Sequence, residues 1–152
     1  MHVANYLGLL HSSEQQLADA LLQVAQHHGD EPDIEHTCTL LAAWSHDAID
    51  LLTPLVKRYQ EEKNDAPERL SQTLFGGTRT GSLALLRGLH DLWLLANEVH
   101  VCVVVLSQAA AALRDQELAT ACAQIGTQNG RQIAWCLTRI KQAAPQSLVV
   151  AA

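Results

Sequence analysis

Glu14 interrupts a leucine stripe. Leu7, Leu10, Leu17, Leu21 and Val24 recur at 3,4 spacing, and at ~100° per residue Glu14 falls near the middle of the same helix face. A carboxylate on an apolar face is a metal ligand or a buried hydrogen-bonding group, and the rest of the chain offers partners for either role. Metal chemistry would draw on Glu98 as a second carboxylate and on imidazoles from His11, His46, His90 or His100. His11 precedes Glu14 by one turn, and His46 with Asp50 has the i,i+4 spacing that can clip a metal ion. Hydrogen-bonding chemistry would draw on Ser45, Asn129 and Gln132. Their hydroxyl and amide groups donate well to a carboxylate and bind transition metals weakly.

The elements that position these side chains can be read from their punctuation. A first helix is expected over about 3–28, stopping at Gly29. Asp30 opens a second over 31–60, with Pro32 in its first turn and Pro54 as a kink or restart capped by Thr53. Its stripe is Ile34, Cys38, Leu41, Ser45, Ala48, Leu52, Leu55 and Tyr59, so Ser45 faces inward and His46 and Asp50 read as a solvated pair. Residues 61–81 are polar, contain Pro67 and three glycines, and form one long connector. Ser82 or Thr80 caps a third helix over 82–113, and Asp115 caps a fourth over 116–143 before Pro145. Asn129 is centred on the fourth stripe, with Gln132 beside it. On the third helix Arg87, His90, Asp91, Asn97 and Glu98 read as a solvated side opposite Leu89, Leu92, Ala96, Val99, Val103 and Leu106. Rotating that helix would instead bring Glu98 and His100 toward Glu14.

Composition narrows the function classes. The 152 residues suit one domain spanning 1–152, and 48% hydrophobic with 17% charged residues is a globular balance. A net charge of −6 with ten scattered Lys and Arg argues against a nucleic-acid groove and an anionic membrane surface. The N-terminal residues lack a secretory pattern and no uninterrupted apolar run reaches ~18 residues, so a cytoplasmic, non-membrane protein is expected. Cys38, Cys102, Cys122 and Cys136 form no CxxC pair and are read as reduced core thiols. The "GGTRTGS" stretch near Arg79 is a turn and helix cap rather than a phosphate loop, because no strand precedes it. Haem attachment is disfavoured, as CxxCH is absent and no histidine is predicted to point inward.

Short link, long connector, short link is the connectivity of ferritin-like bundles, and over residues 3–143 the chain resembles that superfamily. A connector of ~20 residues can reach ~60 Å, beyond the ~40 Å of a helix of ~27 residues. The resemblance implies a four-helix bundle with a crossover between helices two and three. It also implies a di-metal centre built from a Glu on two helices and a Glu-x-x-His on the other two. Glu14 fits the first-helix Glu. The second-helix pair is replaced by Ser45 and Ala48, the fourth-helix pair by Asn129 and Gln132, and no Glu-x-x-His occurs anywhere in the chain.

The reading is therefore an all-α, ferritin-like bundle without a complete metal site. It is expected to bind no cofactor or metal, and to act as a binding or assembly protein with Glu14 held by Ser45, Asn129 and Gln132. The competing reading is a non-haem iron oxidase, di-iron or mononuclear, or an iron-binding protein using Glu14 and Glu98. A homodimer is expected because "VCVVVL", residues 101–106, leaves no polar side on the third helix, and the tail "PQSLVVAA" is apolar. Gly126 and Gly130, one turn apart, suggest a close approach by a helix or a partner chain.

Overall fold

In the computed structural model, residues 2–61 and 75–150 are described. They form four helices and no strand: α1 (Val3–His27), α2 (Pro32–Glu61), α3 (Ala84–Leu113) and α4 (Gln116–Pro145). A single π-helical turn, Gln146–Val150, follows. Most of the connector expected over 61–81 lies outside the described residues.

Helix ends follow local chemistry. Pro32 opens α2, where its missing amide costs nothing, and Asp33 and Glu35 place negative charge in the first turn. α2 continues through Pro54, and Thr53 donates its hydroxyl to Ile49 O at 2.8 Å rather than capping a new helix. Arg114 takes a left-handed φ of 54° and ends α3. The next residue, Asp115, accepts from Leu118 N at 3.1 Å and caps α4. Three boundaries differ from expectation. α1 ends through His28, at φ −115°, and Gly29 is not left-handed. α3 begins at Ala84 with no side-chain cap, because neither Thr80 nor Ser82 occupies its N-cap position. α4 runs on to Pro145, which has no amide to donate to the preceding turn, and the chain then widens to π pitch.

The helices pack as α1 on α2 and α3, and α4 on α3 and α2, with the α2/α4 seam the thinnest. Facing residues give their directions. Val24 meets Gly88 and Ser13 meets Cys102 between α1 and α3. Between α3 and α4, Ala96 meets Asn129 and Val103 meets Gly126. Between α2 and α4, Asp33 meets Arg139, Ser45 meets Gln132, and Arg58 meets Asp115. In each pair the numbers rise on one helix as they fall on the other, so all three pairs are antiparallel.

The shared interior is aliphatic. Leu7, Leu10, Leu17, Ile34, Leu52, Leu89, Leu92, Leu106 and Leu118 are fully buried, as the 3,4 stripes require. Trp44, Trp93 and Trp135 are partly buried against that core. All four cysteines are buried and unbridged. Burial pushes the Cys38 and Cys136 thiols up to about 12, far from a reactive thiolate.

Asp91 departs from its expected solvated position. It is buried and held in a fork by Arg79, whose Nε and second guanidinium nitrogen donate at 2.8 and 2.9 Å. Arg79 is therefore tied to α3 rather than left to form an anion nest. By length and composition α3 could span a bilayer, but its Leu89, Leu92, Val99 and Leu106 side are all buried in the bundle core.

A buried polar layer as the candidate functional site

Midway along the bundle the aliphatic interior gives way to Ser13 and Glu14 from α1, Ser45 from α2, and Asn129 and Gln132 from α4, all buried. The register of the facing helices brings them to one depth. Gln132 is the hub: its Nε2 donates to Leu41 O at 3.0 Å and to Ser45 Oγ at 2.9 Å. Asn129 Nδ2 donates to Ala96 O at 3.0 Å and lies 3.5 Å from Gln132 Oε1. Ser45 in turn hydrogen-bonds the Glu14 carboxyl. Three helices are thus linked through side chains, and the fourth, α3, through its backbone carbonyl.

Donors and acceptors do not balance in this layer. Both amide groups have spent their N–H donors, whereas Glu14 Oε2 and Asn129 Oδ1 accept no hydrogen bond. At 1% exposure Glu14 has lost nearly all its hydration. Burial therefore pushes its carboxyl up to about 7, and the Ser45 hydrogen bond opposes that rise only in part. A neutral Glu14 acid would bring to the centre the donor that the layer lacks.

Two further residues complete the surroundings. Cys102 on α3 lies beside Ser13, and its thiol is pushed up to about 12 by burial and then by Glu98, with a smaller contribution from Glu14. Glu98 is half-buried, with Oε1 4.0 Å from Cys102 Sγ. It therefore sits half-buried beside Cys102 rather than on the fully solvated side. Sequence patterning missed Ser13, and it placed Cys102 in the core without joining it to this layer. Ser13 adjoins Glu14 in sequence and looks toward α3, and Cys102 was hidden inside an unbroken apolar run.

The histidines lie elsewhere. His11 is half-buried beside the α1 stripe, and His46, His90 and His100 are exposed, as is Asp50. Among the described residues no group of three or more His, Cys, Asp or Glu side chains is placed to hold a metal ion. At the lower end of the bundle, Arg58 and Tyr59 both donate to Asp115. Burial opposes the Asp115 charge, but these bonds and the Leu118 amide hold its carboxyl below the usual range. That cluster fastens α2 to the α4 N-terminus and is structural.

Comparison of the chain with protein families, curated proteins and solved structures finds no match.

Proposed function

We propose that the chain is a ferritin-like bundle whose metal-ligand positions have become a self-bonded polar layer, and that it works as a binding or assembly protein. The observation that carries this reading is the Ser45–Gln132–Asn129 chain. At the depth of Glu14, the positions where a di-metal site needs carboxylate and imidazole hold hydroxyl and amide groups already committed to one another. Glu98, the second carboxylate of an oxidase reading, stands half-buried beside Cys102. The helix directions support the ferritin-like connectivity, which requires α2 and α3 to run in the same sense, as they do.

A homodimer in the cytoplasm belongs to the same proposal. On the outer side of α3, Val101 is 55% exposed and Val104 47%, with Leu94 about two to three turns earlier at 42%. Between Val99 and Leu113 the helix carries no Asp, Glu, Lys or Arg, so a second copy can cover this side without desolvating a full charge. Metal analysis of untagged protein from iron-supplemented cells tests the reading. Substoichiometric iron, manganese and zinc are expected, and one or more tightly held ions per chain would replace it with the oxidase reading.

A further inference from the structure

The seam between α2 and α4 opens outside the polar layer into two abutting hollows of ≈ 410 and ≈ 400 Å³ that share Leu51 and Gln124. Together they make one groove. Trp44, Ala48, Leu51 and Leu55 line it from α2 at 3,4 spacing, and Ala121 and Ile125 answer them from α4. From Trp44 to Leu55 is about three helical turns, ~17 Å. Two antiparallel helices presenting apolar stripes at this spacing form the kind of groove that receives the apolar face of a third helix.

Charge identifies the occupant. Asp47, Asp50 and Glu117 stand on the groove walls against one cation, Arg131. Arg131 is engaged at one end, where it lies over the Trp44 ring at 5.9 Å and donates to Gln128 at 3.2 Å. Glu117 has a partner in Arg58 at 3.6 Å, whereas Asp47 and Asp50 enter no ion pair among the described residues. The chain as a whole carries −6. We propose that this groove docks an amphipathic helix of a partner protein whose apolar face is flanked by Lys or Arg. A second copy of this chain is a poor occupant, because its ten basic residues are scattered and its own acidic surface would oppose the acidic walls. The inference rests on the binding-protein reading and names the chemistry of the partner.

The test uses the full chain and an amidated leucine–lysine peptide with leucines at i, i+3, i+4 and i+7, compared with its leucine–glutamate counterpart by calorimetry. The lysine peptide should bind at least roughly tenfold more tightly than the glutamate peptide, and less so as salt is raised. Asp47→Asn with Asp50→Asn should weaken it by roughly tenfold, and exposed Leu51→Lys should abolish it, while Val104→Lys on α3, which acts on the dimer, should leave the peptide affinity as it is. Equal binding of the two peptides, no binding, or loss in Val104→Lys would overturn the proposal. Conversion of a dimer into a monomer by Leu51→Lys would assign the groove to a second copy instead. None of these outcomes depends on metal content, so the polar-layer reading and the groove can fail separately.

Discussion

Gln132 on α4 donates to Ser45 on α2 at 2.9 Å, and the Ser45 hydroxyl reaches the Glu14 carboxyl on α1. Residues far apart in sequence are thereby joined into one chain of hydrogen bonds through an otherwise aliphatic interior. Burial strengthens each bond and raises the cost of any group left out. The consequences can be measured by removing members one at a time.

Glu14→Gln should keep the fold and hold or raise the melting temperature, since the amide keeps the shape and removes a carboxyl that burial disfavours as an anion. Glu14→Leu should lower stability by about 1–3 kcal/mol, because the buried Ser45 O–H loses its carboxyl acceptor while its oxygen keeps only the Gln132 donor. Urea unfolding of both variants checks the contrast, and a Leu variant as stable as the Gln variant would contradict it.

Stability should also depend on pH through Glu14. Its carboxyl is raised from 4.5 to about 7 in the folded chain, so the unfolded chain ionises first as pH rises. The contribution is complete below about pH 4.5, falls through the interval to pH 7, and is lost above it, at a total of ~3 kcal/mol. Asp115 acts with the opposite sign. Its depressed carboxyl contributes above the usual Asp range and is lost in acid, so the optimum should lie on the mildly acidic side of neutrality. Unfolding midpoints from pH 4 to 9 should fall between pH 5 and 8 in the wild type and stay nearly level there in Glu14→Gln.

The outer side of α3 gives a third prediction. Light scattering at micromolar concentration should report about twice the 16.6 kDa chain mass, and Val104→Glu should shift it toward the monomer. A monomeric wild type, or a dimer untouched by Val104→Glu, would show that this side is not the interface.

Arg79→Ala offers a test away from the centre. It leaves the buried Asp91 carboxylate without its forked partner, so the melting temperature should fall at neutral pH. Asp91→Asn in the same background should recover part of the loss, because the neutral amide tolerates the apolar surroundings.

The helices and the inward placement of Glu14, Ser45, Asn129 and Gln132 were legible because 3,4 periodicity is a local property of the chain. Asp115 was legible as a cap for the same reason. Asp91 was not. The pattern placed it on the solvated side of α3, whereas it is buried, because Arg79, which the chain brings back from beyond the helix, pairs with its carboxylate. Ser13 was missed, and Cys102 was read as a core thiol but not as Ser13's neighbour, because the contact across the α1/α3 interface is not encoded by periodicity on either helix. The α2/α4 groove depends on the separation of two helices, and a small residue such as Ala48 reads simply as core.

The central claim is that the layer around Glu14 is tied together by side-chain hydrogen bonds and holds no metal ion. Anaerobic calorimetric titration of Fe(II) into the wild type and Glu14→Gln tests it most directly. The account predicts superimposable traces with no stoichiometric, high-affinity binding in either protein. Tight binding of one or two Fe(II) per wild-type chain, absent from Glu14→Gln, would contradict it.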